Sequence, residues 1–285
     1  MQKKIETVKT LLDALPFIKE FNKEIVVIKY GGSAQTSPQL KEKFAEDILL
    51  MYLVGIRPVI IHGGGSKITE MLDALKIDTT FIEGQRVTTK EVMRIVEMIL
   101  SGEINKEIVS LLNSHGAKAI GISGKDAHFI TAKPKDFAKW GLTGNITNVN
   151  SEVVSNLMDE KFIPVIAPIA ASEEMGHSGF NINADLCASY VAKEIGANKI
   201  IFLTDTPGVL NNDKELLSTL TKAEVESLKA DGTIHGGMLP KVDACLEAIE
   251  GGVNKAHIID GRVEHSLLLE LFTSEGVGTV IKKDI

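Results

Sequence analysis

Cysteine is scarce: Cys187 and Cys245 are the only two in 285 residues. Two thiols cannot form a disulfide framework for a chain this large, and neither belongs to a metal-ligand spacing. Both fall in apolar helical patterns, which points to a reducing, cytoplasmic compartment. Aromatic residues make up only 5% of the chain and the formal net charge is −7. Base-stacking platforms and broad basic faces are therefore missing, and with them the usual means of holding nucleic acid. No apolar run approaches the ~20 residues that cross a membrane. The N-terminal MQKKIETVKT has neither an apolar core nor a small-residue cleavage site, so secretion is not expected. Any phosphate the protein binds must be held locally, by backbone N–H groups and a few placed lysines.

The standard nucleotide and catalytic signatures are absent as well. Ile122-Ser123-Gly124-Lys125-Asp126 contains a Gly-Lys pair but lacks the spaced upstream glycine and the following Ser/Thr of a Walker A loop. Gly276-Val277-Gly278 lacks the rest of a dinucleotide fingerprint, and neither HExxH nor a protein-kinase catalytic loop occurs. The histidines are scattered. For His62, which ends an apolar run, a structural or backbone-orienting role is a better reading than metal ligation.

What the chain does have is hydrophobic residues, 44%, and 25 glycines. Val- and Ile-rich runs at 25–29, 58–61, 119–122, 164–169, 199–203 and 256–259 have the length and bounds of buried parallel strands. Helical spacing at 40–54, 90–100, 184–195 and 241–249 lies between them. The alternation predicts an α/β fold: a three-layer αβα sandwich around a mainly parallel sheet. Residues 1–22 place Ile5, Val8, Leu12, Leu15 and Ile18 on one helical face. That helix either packs on its own domain or docks on another subunit. No repeat or linker interrupts the rest, which reads as two lobes of one compact unit.

Nearly every strand runs straight into glycine. Ligands of open α/β sheets bind outside the carboxyl ends of strands, so these glycines are expected to line one cleft. A single glycine there can simply turn the chain. Gly31-Gly32 and Gly63-Gly64-Gly65 both follow apolar strands and precede helices, which makes them candidate anion sites. Lys29 ends the first strand in Ile28-Lys29-Tyr30-Gly31-Gly32, and Lys241 follows a glycine turn in Gly236-Gly237-Met238-Leu239-Pro240-Lys241. Asn183 and Asp185, in Asn181-Ile182-Asn183-Ala184-Asp185, open a helix, where plain N-capping competes with a role in chemistry.

Seven segments then occur in an order that resembles the acetylglutamate kinases of the amino-acid kinase family. They are the three motifs at Lys29, Lys241 and Asp185, together with Ile61-His62-Gly63-Gly64-Gly65, Gly84-Gln85-Arg86-Val87-Thr88, Gly121-Ile122-Ser123-Gly124-Lys125-Asp126 and Thr204-Asp205-Thr206-Pro207-Gly208-Val209. The resemblance covers the chain from about residue 5 to its end. It implies a carbamate-kinase-like fold and phosphoryl transfer from ATP, with Mg2+, to the γ-carboxylate of N-acetyl-L-glutamate. In that reading Lys29 and Lys241 meet the transferring phosphoryl group and Asp185 holds them in register, while Gly31, Gly32 and Gly64 donate N–H groups. Arg86 grips a substrate carboxylate, with Gly64, Gly65 and Asn181 completing the pocket. Asp205, Thr206, Pro207, Gly208, Val209 and Leu210, with Thr233, Ile234 and His235, hold the nucleotide. Mg2+ is carried by phosphates and water, with no direct protein ligand expected.

The resemblance also implies lobes: a helical extension at 1–24, an acetylglutamate-binding lobe at 25–180 and an ATP-binding lobe at 181–285. The N-terminal helix and the segments around His265, Glu275 and Gly278 resemble the branch of the family that is inhibited by arginine and assembles as a dimer-based hexamer through that helix. Nucleic acid and membrane are not expected partners. Rival readings are a sister kinase acting on aspartate, glutamate, carbamate, UMP or an aminoadipate derivative, and a silent arginine sensor. Lys29, Lys241 and Asp185 all being present argues against the sensor.

Overall fold

The computed structural model describes residues 1–283, apart from the side chains of Lys3 and Thr7. The last two residues of the expected second lobe, 284 and 285, lie outside the described residues. The chain opens with helix α1 (Gln2–Phe21), strand β1 (Ile25–Tyr30), α2 (Pro38–Leu53), β2 (Arg57–His62) and α3 (Gly65–Ala74). A small hairpin, β3 (Phe81–Ile82) and β4 (Gln85–Arg86), leads to α4 (Lys90–Glu97), a π-helical segment over Met98–Ile104, α5 (Asn105–Ser114) and β5 (Ala119–Ser123). Next come β6 (Ile130–Pro134), α6 (Phe137–Trp140), β7 (Gly144–Val149), α7 (Ser151–Asp159), β8 (Ile163–Ala167), β9 (Ile169–Ala170) and β10 (Phe180–Asn181). The remainder is α8 (Ala184–Glu194), β11 (Lys199–Thr204), β12 (Thr219–Thr221), α9 (Lys222–Ala230), α10 (Leu239–Glu250), β13 (Lys255–Asp260), α11 (Ser266–Phe272) and β14 (Thr279–Lys282).

Eight strands form one sheet in the order β12-β14-β13-β11-β1-β2-β8-β5. Its ladders are parallel except for β13 with β14. Both faces carry helices: α2 and α5 pack on the β2, β8 and β5 side, while α8 and α10 pack on each other and on β1, β11 and β13. The expected sandwich is therefore the observed one. Its inner strands are apolar along nearly their whole length because each is covered above and below; Val26, Val27, Ile28, Val59, Ile60, Ile61, Ile200 and Ile201 are fully buried. Burying one such side chain contributes about 1.5–3 kcal/mol. No helix among the described residues is long and apolar enough to cross a membrane.

This topology positions the site. β1 lies mid-sheet, with β2 on one side and the much later β11 on the other. Chain connections run in opposite directions from it, and the carboxyl ends of these strands open a crevice there. One helix departs from expectation. The spacing over 90–100 predicts a continuous α-helix, but α4 stops at Glu97 and a π-helical stretch follows. The wider turn keeps Leu100 and Ile104 against the glycine loop after β2: a Cβ on Gly64 would come within 2.5 Å of Ile104 Cδ1 and 2.6 Å of Leu100 Cδ2. It also turns Asn105 inward, where it is buried. Departures of this kind are frequent at functional sites.

Candidate active site

Lys29, next to last in β1, is buried. Its Nζ lies 3.0 Å from Asp185 Oδ1, and Lys241 Nζ, from the first turns of α10, lies 3.4 Å from Asp185 Oδ2. One carboxylate thus bridges lysines from two distant parts of the chain. Capping of α8 falls to Asn183, whose Oδ1 accepts the N–H groups of Asp185 and Leu186, leaving the Asp185 side chain for the lysines. Burial alone would push the Asp185 carboxyl up, but the Lys29 and Lys241 ammonium groups outweigh it and hold it below its ordinary range. Glycine at 31 makes room for this: a Cβ there would come 2.7 Å from Lys29 Nζ. Gly32 takes a φ of 66°, which side chains rarely tolerate. The Asp205 carboxylate reaches over it to accept the Ser33 N–H at 2.7 Å.

The second glycine loop leaves β2. Gly63 N–H donates to Tyr30 O at 2.8 Å, tying the two strand ends together. Gly64 is the residue before α3, and its N–H has no acceptor among the described residues. Backbone donors at a helix start attract anions. The buried Arg86 faces the same space from β4. It donates to Thr69 Oγ1 at 2.8 Å, Gly65 O at 3.1 Å and Thr79 Oγ1 at 3.2 Å, and its guanidinium lies 4.6 Å from the Phe81 ring centre. No carboxylate among the described residues lies within ion-pair distance of it. Burial pulls its pKa down, against a weaker upward pull from Asp73. A buried guanidinium that lacks a counter-ion and faces a cavity has the geometry to pair with a carboxylate there.

Asn181 is oriented by two threonines to which the sequence reading assigned no role. Its Nδ2 donates to Thr88 Oγ1 at 3.1 Å; the Thr88 and Thr143 hydroxyls lie 3.1 Å apart, and both donate to Arg86 O. Thr88 stood in a recognised motif, but Thr143 lies 55 residues away, and no local pattern joins the two.

Lys29, Gly31, Gly32, Gly64, Gly65, Arg86, Asn181 and Asp185 together line a cavity of about 260 Å3. A second cavity of about 600 Å3 adjoins it. Asp205, Thr206, Gly208, Val209, Leu210, Thr233, Ile234 and His235 line it, and Pro207 does not. Lys29 and Gly32 border both cavities. Asn211, Asn212, Lys214 and Met238 also line the second and were not singled out from sequence, although the polar run after Leu210 continues the same loop. Glu275 and Gly278 face a third cavity of about 430 Å3 with Phe17, Glu20 and Phe21 of α1. His265 is not brought to them: its Nδ1 meets Asp47 Oδ1 of α2 at 2.5 Å. Among the described residues no group of His, Cys, Asp or Glu side chains could hold a metal ion.

A model of the amino acid kinase family matches residues 24–260. The chain belongs to that family. The acetylglutamate kinase of Sulfurimonas denitrificans is 84% identical to it over 99% of both chains, and that of Nitratiruptor sp. 72% identical over 99% of both. An N-acetylglutamate synthase from Neisseria gonorrhoeae, solved with coenzyme A and N-acetyl-glutamate, superposes with a TM-score of 0.86 at 26% identity. The match covers 98% of this chain and 64% of the synthase. A Giardia lamblia carbamate kinase bound to AMP-PNP, at 20% identity and a TM-score of 0.71 over 92% of this chain and 99% of that one, shares the fold. Within the family the chain is one of the acetylglutamate kinases; it is a kinase, with ATP as a substrate.

Proposed function

We propose that the protein transfers the γ-phosphoryl group of ATP to the γ-carboxylate of N-acetyl-L-glutamate, giving N-acetyl-L-glutamyl 5-phosphate and ADP, in arginine biosynthesis. The carrying observation is the Lys29–Asp185–Lys241 bridge at the junction of two cavities, one of them headed by Arg86 without a counter-ion. The curated relatives, named acetylglutamate kinase at up to 84% identity, support the choice of acceptor.

In this reading 25–180 binds the acyl substrate and 181–285 the nucleotide. Arg86 pairs with a substrate carboxylate that is not the nucleophile; Gly64, Gly65 and Asn181 close around it. The nucleophilic γ-carboxylate is ionised at neutral pH, so no base is needed. Its oxygen bonds to the γ-phosphorus as the bond to the β-bridging oxygen breaks, and the electron pair leaves with ADP. Charge moves from the equatorial oxygens toward the leaving group, where Lys29, Lys241 and the N–H groups of Gly31, Gly32 and Gly64 oppose it. Asp185 keeps the lysines on either side of the transfer. Asp205 to Leu210 and Thr233 to His235, with Pro207 shaping its loop, hold adenine and ribose. Asp185 is committed to the lysines and Asp205 to Ser33, so these residues fit a Mg2+ carried on phosphate oxygens, where it would supply further charge neutralisation.

The reaction is assigned to the cytoplasm, in keeping with two buried, unpaired cysteines. Arginine inhibition belongs to the same proposal: the cavity beside α1 offers Glu20 and Glu275 to a guanidinium, while Glu270 there is already paired with His257 and the Val277 N–H. A hexamer through α1 is supported by Val8, Leu11 and Leu12, each more than half exposed on it. The test is ADP release with MgATP, comparing N-acetyl-L-glutamate with glutamate, aspartate, carbamate and UMP, with and without arginine. Turnover confined to N-acetyl-L-glutamate and suppressed by arginine is expected; turnover with another acceptor overturns the roles of Arg86 and Asn181.

A further inference from the structure

Behind the second glycine loop lies a chain of polar groups, His62 and Asn105 buried and Lys106 exposed, that line neither of the two cavities. His62, the last residue of β2, is fully buried. Its Nδ1 lies 2.9 Å from Gly63 O and its Nε2 3.2 Å from Asn105 Nδ2. Asn105, which the π-helical segment turns inward, also places Nδ2 2.9 Å from Val165 O and Oδ1 2.9 Å from Lys106 Nζ. Lys106 Nζ lies 2.9 Å from Gly121 O as well.

The protonation of every member follows from donor and acceptor types alone. An ammonium only donates, so the Asn105 atom facing Lys106 is the oxygen, and the amide nitrogen faces Val165 O and His62. That nitrogen only donates, so His62 Nε2 accepts. A neutral ring then carries its proton on Nδ1, and the Nδ1–H donates to Gly63 O. Burial and the nearby Lys106 charge, opposed only in part by the Gly63 bond, push the His62 pKa down to about 4, which keeps the ring neutral. Lys106 of α5 is the charged group acting on it. From β1 its register partner is Tyr30, which burial keeps protonated, and from β8 the neighbouring group is the Val165 carbonyl.

The peptide joining Gly63 and Gly64 is trans, so its C=O and N–H point in opposite directions. Pinning the Gly63 carbonyl inward aims the Gly64 N–H outward, into the cavity that Gly64 and Arg86 line. We propose that His62, locked as its Nδ1–H tautomer by Asn105 and Lys106, is a positioning residue that aims the Gly64 N–H at the reacting phosphoryl group and substrate. The role rests on the reading of Gly64 given above. Gly121 belongs to the device too, since a Cβ there would collide with Asn105 Oδ1.

The first test needs no turnover: 15N NMR of histidine-labelled protein, with His62 assigned by comparison with His62→Asn. A neutral Nδ1–H ring between pH 5 and 8 is expected. An Nε2–H ring, or titration near pH 6.5, overturns the proposal. The second uses Asn105→Asp, which keeps the shape but gives His62 Nε2 an acceptor to face. With Tm unchanged, kcat should fall about 10- to 100-fold while KM for ATP holds and the ring signal moves to an Nε2-protonated form. Unchanged kcat with an altered ring would show that the tautomer does not matter. His62→Asn, whose amide can donate from near the Nδ1 position, should retain more activity than His62→Gln, and the reverse order counts against the proposal. If the wild type fails to turn over N-acetyl-L-glutamate, the substrate reading fails, while the NMR result still decides the tautomer.

Discussion

The two cavities are built differently. The smaller is lined by polar groups whose directions are fixed from behind: Arg86 by Thr69, Thr79 and Gly65, Asn181 by Thr88, and the loop at Gly64 by His62. The larger is lined mostly by one loop, the short stretch Thr233–His235 and apolar side chains such as Val209, Ile234 and Met238. A direction-fixed hydrogen bond rejects a wrong partner by leaving a buried group unsatisfied, whereas an apolar wall accepts many shapes. In the proposed reading, discrimination between acceptors therefore belongs to the first cavity, and the second needs only to hold a nucleotide common to many enzymes.

The largest effect should come from Lys29, one of the two residues the cavities share. Lys29→Met is expected to lower kcat by about 10²–10³ with little change in either KM, measured by ADP release; a change confined to KM for ATP would move Lys29 wholly into the nucleotide half. Stability offers a second way to sharpen the contrast. His62 titrates at about 6.5 when unfolded and about 4 when folded, so unfolding takes up a proton between those values. The stabilisation is complete above pH 6.5 and is lost as pH falls toward 4, by about 2 kcal/mol at pH 5. Urea denaturation at pH 7.5 and 5.0 should show this loss in the wild type and not in His62→Asn.

Arg86→Lys should raise KM for the acyl substrate about 10- to 50-fold, because an ammonium cannot reproduce the planar fork, and should leave KM for ATP alone. An equal rise in both constants would erase the distinction between the cavities. Met238→Ala, on the apolar side, should raise KM for ATP only about 2- to 5-fold. The smallest catalytic effect is expected for deletion of residues 1–22: turnover persists while the proposed arginine inhibition and assembly are lost. Unchanged inhibition would separate α1 from the proposed effector cavity.

How much of this was legible in the sequence depends on the range of the interactions. The six apolar runs became β1, β2, β5, β8, β11 and β13, because strands covered on both faces must be apolar throughout. β12 and β14 escaped notice. They are short, and the polar residues Thr219, Thr221 and Lys282 break the apolar pattern. Lys29, Arg86 and Asp185 stood in motifs and meet the cavities. Thr143, Asn105 and Lys106 carried no role in the sequence reading, since what they do depends on partners 15 to 60 residues away. The π-helical turn is invisible to a period-3.6 reading, which registers only an apolar stripe.

The continuity of the sheet has a mechanical consequence. β1 and β11, which meet where the two halves of the site join, are held by a parallel ladder running from Val26↔Lys199 to Lys29↔Phe202. Opening the halves like a hinged book would shear that ladder at the centre of the molecule. The pieces of the site outside that sheet are the β3–β4 hairpin carrying Arg86 and the loop carrying Asp205. In hydrogen exchange the amides of β1 and β11 should be among the slowest in the protein, and those of the hairpin and the loop should respond to ligand while the frame between them does not.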